Sequence, residues 1–138
     1  MSQRPVGEII RRKPVSLPET ATVQEACKEM RDRRIGAILV LNQGGGLAGI
    51  FTGRDAVKLL ADGHNPAHTR LDRVMTRNPE CIPPSQHALD ALRTMSDGGF
   101  RHLPVTDAGR VVGIVSVGDF RSQEHARLDE ETGFWERI

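Results

Sequence analysis

The chain has 138 residues, of which 38% are hydrophobic and 27% charged, and its formal net charge is +1. This composition is typical of a globular protein, and the length suffices for one compact domain or for two very small ones that share a core. The charge balance and the few aromatic residues argue against nucleic-acid binding, and no apolar run is long enough to cross a bilayer.

The first half of the chain predicts a β-α-β-β-α unit after a short lead-in, VGEII. Prolines keep the next stretch, PVSLP, extended, and an amphipathic helix follows that Thr22 and Glu25 begin with a capping box. Two strands, AILVL and LAGIF, flank a turn at NQGGG, and a second helix is expected after Thr52. The apolar positions of the first helix are Val23, Ala26, Cys27 and Met30.

The second half repeats this pattern, so that Pro14 aligns with Pro79 and Met30 with Met95. We divide the chain into a first repeat with its lead-in (1–66), a second repeat (67–127) and a tail (128–138). A single copy would bury too little apolar surface to be stable. We therefore expect one α/β body in which two copies pack sheet against sheet about an internal two-fold axis.

One motif, G-I-x-[ST]-x-x-D, occurs in both copies, as GIFTGRD (49–55) and as GIVSVGD (113–119). A hydroxyl residue followed three positions later by an acid is the pattern of a capping box, which would be purely structural. The same pattern is also suited to half of a ligand site, and one acid can serve both purposes. Both interpretations predict the same residues.

The doubled β-α-β-β-α unit, the stretch RHLPV and the doubled motif together resemble a pair of CBS (cystathionine β-synthase) domains, a Bateman module. The resemblance covers about residues 5–121, and the first copy departs from it by having Leu39 where the second has Pro104. It implies an α/β (α+β) fold of tandem repeats with pseudo-two-fold symmetry. It also implies a regulatory protein without catalysis or a required cofactor, which binds AMP, ADP or ATP, or else S-adenosylmethionine or NAD, in clefts between the copies.

In such modules the aspartate of the motif binds the ribose hydroxyls and the serine or threonine lies near the phosphates. The rest of each cleft comes from the other copy. Carried over to this chain, one nucleotide-binding cleft consists of Ile50, Thr52 and Asp55, facing Thr76, Glu80, Cys81, Ile82, Phe100, Arg101 and His102. The other consists of Ile114, Ser116 and Asp119, facing Ile10, Val15, Ser16, Ile35, Gly36 and Ala37.

The two clefts differ in charge. Arg54 lies inside the first motif and would form a phosphate clamp with Arg101 and His102, whereas Gly118 occupies the matching position in the second motif. We therefore expect phosphorylated nucleotide to prefer the Asp55 cleft. The alternative is that Arg54 is a solvated arginine of the first helical turn.

The resemblance further implies a homodimer that controls a separate effector protein. The alternative is an interaction or dimerisation module that binds no ligand. The start of the chain lacks the apolar run of a signal peptide, so we expect a cytoplasmic location. No metal site is predicted, because Cys27 and Cys81 lack close spacing and Pro66 separates His64 from His68. No catalytic site is predicted either, because no Ser/His/Asp or Cys/His set has a spacing that suggests catalysis. In the tail, Phe134, Trp135 and Ile138 either seal an oligomer contact or fold back on the chain.

Overall fold

The computed structural model describes residues 3–11 and 13–132, and these form two compact units. The central unit is Pro14–Pro79, and the terminal unit combines the described parts of Met1–Lys13 and Glu80–Ile138. Each repeat thus contributes its lead-in to the unit of the other repeat. The tail residues Phe134, Trp135 and Ile138, expected to mediate a contact, lie outside the described residues.

The central unit is a four-stranded sheet with helices, in the order β1-β2-β3-β4. Strand β1 runs parallel to β2, and the other two pairings are antiparallel. The elements are β1 (Ser16–Pro18), α1 (Val23–Arg33), β2 (Ala37–Leu41), β3 (Leu47–Thr52), α2 (Gly53–Ala61), α3 (Leu71–Val74) and β4 (Thr76–Arg77), with a 3-10 turn at Pro66–His68.

Helix α1 begins as its sequence predicts, and it ends at a residue type that does not suit the backbone conformation there. The Glu25 N–H donates to Thr22 Oγ1 at 3.1 Å and the Thr22 N–H to Glu25 Oε2 at 3.2 Å, which confirms the predicted capping box. The helix ends at Arg34, whose φ of 56° lies in the left-handed region. A side chain in this conformation is strained, whereas the second copy has Gly99, with φ 72°, at the corresponding position.

The terminal unit has the same order of elements with a smaller sheet. It contains α4 (Ala88–Gly98), β5 (His102–Asp107), β6 (Arg110–Ser116) and α5 (Ser122–Thr132), with 3-10 turns at Val6–Glu8 and Val117–Asp119. Strands β5 and β6 are antiparallel, and Ile82 forms only an isolated parallel bridge with Val105 where the central unit has β1. Proline explains the difference: the Leu39 N–H donates to the Val15 carbonyl at 2.9 Å, whereas Pro104 has no N–H to donate.

The prediction that the second helix of the second copy begins directly after Ser116 is wrong. After Ser116 the chain makes only one 3-10 turn, and α5 begins at Ser122. Phe120, which aligns with Ala56 of α2, takes an extended conformation (φ −96°, ψ 152°) and is buried in the core. Burying this large ring instead of a methyl group interrupts the helix.

Each unit has its own apolar core, to which the exchanged lead-in contributes. Val6 and Ile9 pack with α4, β5 and β6, and Leu71 and Met75 pack with α1, β2 and β3. The backbone fixes both lead-ins in the same way: Val6 N–H donates to the Gln86 carbonyl at 2.7 Å, and Leu71 N–H to the Ala21 carbonyl at 2.8 Å. The lead-ins are therefore structural parts of the units they join.

An ion pair ties the start of the terminal unit to its last helix. Arg4 Nε donates to Glu124 Oε2 at 3.0 Å and Arg4 Nη2 to Glu124 Oε1 at 2.6 Å, and the two side chains are only 17% and 15% exposed. The Arg121 N–H donates to the same carboxylate at 2.7 Å. This hydrogen bonding, chiefly from Arg4, lowers the pKa of Glu124 below its ordinary value.

Among residues 3–11 and 13–132, no helix has the length and apolar character needed to cross a membrane.

Candidate functional site

The motif of the first copy forms what we call the Asp55 half-site, consisting of Thr52, Asp55 and Thr76. Thr52 ends β3 and precedes α2, so its N–H is one of the donors that a helix start leaves unpaired. Asp55 Oδ2 accepts this N–H at 3.0 Å and the Thr52 hydroxyl at 3.3 Å. Asp55 Oδ1 accepts from the Thr76 hydroxyl at 3.4 Å, which brings together two residues that the sequence assigned to one cleft.

The motif of the second copy has the same geometry, and with the residue opposite it forms the Asp119 half-site: His102, Ser116 and Asp119. Asp119 Oδ2 accepts the Ser116 N–H at 2.7 Å and the Ser116 hydroxyl at 3.3 Å. Both aspartates therefore hold the end of a strand, and both are only partly buried. The capping interpretation is thus confirmed in both copies, and it leaves the ligand interpretation open, because a carboxylate has further acceptor positions.

Both motif glycines allow a lead-in residue to approach the strand closely. A Cβ at Gly49 would lie 2.6 Å from Met75 Sδ and 2.7 Å from the Thr76 carbonyl oxygen. A Cβ at Gly113 would lie 2.6 Å from Ile10 Cγ2. Ile10, assigned to the Asp119 cleft from the sequence, therefore does lie beside β6. Any side chain at these glycines would displace the lead-in that stands next to the half-site.

The strand register distinguishes the two half-sites. Ala37 lies opposite Thr52 across β2 and β3, and His102 lies opposite Ser116 across β5 and β6. The residues that precede Ala37 and His102 are also held beside the motifs. In the first copy the Gly36 carbonyl accepts from Gly53 N–H at 3.4 Å, and in the second copy the Arg101 carbonyl accepts from Val117 N–H at 3.0 Å. The second copy thus has Arg101 and His102 beside its motif, where the first copy has a glycine and an alanine.

The remaining predicted residues divide between the units as follows. The unit of Asp55 also contains Val15, Ser16, Ile35, Gly36, Ala37, Ile50, Arg54 and Thr76. The unit of Asp119 also contains Ile10, Glu80, Cys81, Ile82, Phe100, Arg101, His102 and Ile114. The pairing of His102 with Ser116 could not be counted from the hairpin turn. A regular register from the two turn residues, Ala108 and Gly109, would put Val115 opposite His102, but an irregularity between Val105 and Thr106 shifts the register by one residue.

The His102 imidazole has an environment that favours its neutral form. Burial lowers the pKa of His102 below its ordinary value of 6.5, and the positive charge of Arg101 lowers it further. The carboxylate of Asp119 acts in the opposite direction. In the part of the chain that the structure describes, no group of three or more His, Cys, Asp or Glu side chains is arranged to hold a metal ion.

Comparison with known proteins agrees with this architecture. The family model of the CBS domain matches residues 6–62 and 71–125. The chain is 37% identical over 116 residues to the CBS domain-containing protein CBSCBSPB2 of Arabidopsis thaliana, a match that covers 83% of this chain and 22% of that protein. This chain therefore spans less than a quarter of that plant relative.

Two solved structures are also similar. A CBS domain protein from Pyrobaculum aerophilum, complexed with AMP, has a TM-score of 0.83 at 24% identity and covers 91% of this chain and 98% of its own; this likeness concerns the fold. The CBS domain pair of protein MJ0100, in complex with 5′-methylthioadenosine and S-adenosylmethionine, has a TM-score of 0.77 at 26% identity. The match covers 95% of this chain and 99% of that one. Since one family model matches both copies, the chain belongs to the CBS domain family and carries two CBS domains in tandem.

Proposed function

We propose that the chain is a non-catalytic sensor that binds an adenosine-containing ligand at its Asp55 and Asp119 half-sites and thereby controls a partner protein. The observation that carries the proposal is the repeated carboxylate: in both copies an aspartate follows a strand and holds the same two donors of a serine or threonine. A carboxylate can accept two hydrogen bonds from the cis-diol of a ribose. The similar protein MJ0100 was solved with two adenosine compounds, which supports this ligand class.

The half-sites contain groups suited to the other parts of such a ligand. Helix α2 begins directly after Thr52, and the N–H groups and dipole of a helix start favour an anion such as phosphate. Half-buried apolar side chains, Ile35 in the central unit and Phe100 and Ile114 in the terminal unit, are suited to contact with a purine ring. We therefore propose AMP, ADP and ATP as the first ligands to test, followed by S-adenosylmethionine and NAD.

A thermal-shift series with these five compounds tests the proposal. A ligand at a hundred times its dissociation constant adds about 2.7 kcal/mol of stability. The variants Asp55→Asn and Asp119→Asn should lose this stabilisation. Asp90→Asn is the control, because Asp90 accepts from the backbone N–H of His87 at 3.3 Å in the same helix-capping geometry but lies outside the motif; its other oxygen accepts from Arg93 Nη1 at 3.2 Å.

The outcome separates the two interpretations of the motif. Loss of ligand stabilisation in the motif variants, with unfolding temperatures lowered no more than in Asp90→Asn, supports the ligand role. Motif variants that only lower the unfolding temperature assign the carboxylates to capping alone. If none of the five compounds stabilises the unmodified chain, the alternative function, an interaction or dimerisation module without ligand, is favoured.

We also propose that the module acts as a cytoplasmic homodimer. Helix α2 presents two apolar side chains to solvent, Val57 and Leu60, which are 67% and 64% exposed and lie three residues apart on one face. An apolar pair of this kind is typical of a contact surface. Light scattering coupled to size-exclusion chromatography should give the mass of a dimer for the unmodified chain and that of a monomer for the double variant Val57→Lys/Leu60→Lys.

A further inference from the structure

The turn that carries Asp119 differs from the helix start that carries Asp55. In the first copy the carbonyl of Gly53, the residue after the motif hydroxyl, accepts from the N–H of Val57, because α2 begins there. In the second copy the corresponding carbonyl, that of Val117, belongs to a 3-10 turn that ends at Asp119. The second motif is therefore not held by a helix that follows it directly.

A side chain of α5 donates to the Val117 carbonyl instead. The residue that aligns with Val57 is Arg121, and its N–H donates to Glu124 Oε1 at 2.7 Å. His125 Nε2 lies 3.0 Å from the Val117 carbonyl oxygen. A carbonyl can only accept, so Nε2 carries the hydrogen and donates it. The imidazole thus takes the place of the helical N–H.

The His125 ring is itself held by neighbouring residues. Its centroid lies 6.3 Å from that of Phe120, with 78° between the ring planes, which is an edge-to-face contact of two aromatic rings. The preceding residue on α5, Glu124, is fixed by its ion pair with Arg4. In the first copy the residue that aligns with His125 is Ala61, whose methyl group cannot donate a hydrogen bond. The arrangement therefore belongs to the motif whose helix is interrupted.

We infer that His125 is a positioning residue for the Asp119 half-site. Asp119 follows Val117 by two residues on the same turn, and its carboxylate accepts the Ser116 N–H at 2.7 Å. Because the imidazole holds the Val117 carbonyl, the turn keeps the orientation in which the carboxylate can accept from a ligand. Without the imidazole the hydrogen bond of Ser116 should open more often. This inference rests on the proposed function for its ligand and adds a residue outside the motif.

Amide hydrogen exchange followed by NMR tests the positioning without any ligand. His125→Leu removes the donor and keeps an apolar side chain beside Phe120, whereas His125→Gln keeps an N–H donor. The reference is the amide of Thr52, which donates to Asp55 in the same way in the other unit. Relative to this reference, the Ser116 amide should exchange about twofold to tenfold faster in His125→Leu, as expected from the loss of one neutral hydrogen bond. His125→Gln should restore most of the protection.

His87→Leu is the control, because His87 is an exposed histidine of the same unit that precedes α4. It should leave the ratio of the Ser116 and Thr52 exchange rates unchanged. The same ratio in His125→Leu as in the unmodified chain would overturn the positioning. A changed ratio that His125→Gln fails to restore would assign the effect to ring packing and would overturn the role of the hydrogen bond.

Calorimetric titration with AMP tests the consequence for the ligand. In the Asp55→Asn background, which leaves the Asp119 half-site, His125→Leu should weaken AMP binding about twofold to tenfold. In the Asp119→Asn background it should have no further effect, and equal effects in both backgrounds would overturn the assignment to Asp119. Unchanged affinity or no binding in the Asp55→Asn background would overturn the ligand role of His125, while AMP binding to the unmodified chain would leave the proposed function intact. If AMP does not bind to the unmodified chain either, the proposed function fails, and the exchange experiment still decides the positioning.

Discussion

Replacing Gly113 by alanine should destabilise the chain, and truncating Ile10 should reverse most of that loss. The new Cβ would lie 2.6 Å from Ile10 Cγ2, 2.7 Å from Cδ1 and 2.9 Å from Cγ1. Carbon atoms in favourable contact are about 3.5–4.0 Å apart, so the isoleucine side chain must move or β6 must shift. These three nearest atoms all belong to the side chain that Ile10→Ala removes.

The magnitude follows from overpacking. An added methyl group in a well-packed place costs about 1–3 kcal/mol, partly offset by the roughly 0.5–1 kcal/mol that alanine gains over glycine in a strand. Gly113→Ala should thus lower the free energy of unfolding by about 1–2 kcal/mol. In the Ile10→Ala background the same substitution should be neutral or slightly stabilising. The coupling energy of the double-mutant cycle should equal the overpacking cost, about 1–3 kcal/mol, because the gain of alanine over glycine is present in both backgrounds and cancels.

Gly49 provides the matched comparison, because the obstacle there is partly backbone. The alanine Cβ would lie 2.6 Å from Met75 Sδ but also 2.7 Å from the Thr76 carbonyl oxygen. Met75→Ala removes the sulfur and leaves the carbonyl. Gly49→Ala should therefore remain destabilising by about 1–3 kcal/mol in the Met75→Ala background.

Urea unfolding followed by far-ultraviolet circular dichroism measures both cycles, with equal m-values required for each comparison. A neutral Gly113→Ala variant, or one that Ile10→Ala fails to rescue, would refute the close approach of this lead-in to β6. Full rescue of Gly49→Ala by Met75→Ala would show that the Thr76 backbone is not the obstacle.

Three further predictions concern charge and backbone conformation. Arg34→Gly should raise the free energy of unfolding by about 0.5–1 kcal/mol in urea unfolding, because φ at Arg34 is 56°, whereas Lys28→Gly, inside the same helix, should lower it by about 1 kcal/mol. An Arg4→Ala/Glu124→Ala cycle should give a coupling of about 1–2 kcal/mol near pH 7. The pKa of Glu124 in the folded chain lies below its ordinary value, and the coupling should disappear as the pH falls through this lowered folded-state pKa. A cycle that keeps its coupling in acid would contradict the ion pair. The pKa of His102 is lowered in the folded chain, so as the pH falls below the ordinary value of 6.5 the unfolded chain binds the proton more readily and the folded state loses stability. In thermal unfolding, His102→Gln should lose less stability over this pH range than the unmodified chain. An equal loss would refute the lowered pKa.

Much of the local structure was predictable from the sequence. The capping box of Thr22 and Glu25 formed as predicted. On the predicted apolar face of α1, Val23 and Ala26 are buried, and Cys27 and Met30 pack against the same core. These features depend on residues within one or two helical turns, so spacing alone indicates them. The helix predicted after Ser116 failed because the burial of Phe120 in the core overrides local helix formation.

The sequence by itself determined which elements exist, because periodicity, proline, glycine and capping residues act over a few positions. The tertiary structure decided which elements meet: the lead-in of each repeat packs in the unit of the other, and His102 stands opposite Ser116. Both lead-ins are short apolar segments of similar composition, so nothing local selects their partner strand. That choice depends on contacts between residues far apart in the chain, as when Ile10 packs over Gly113 and Met75 over Gly49.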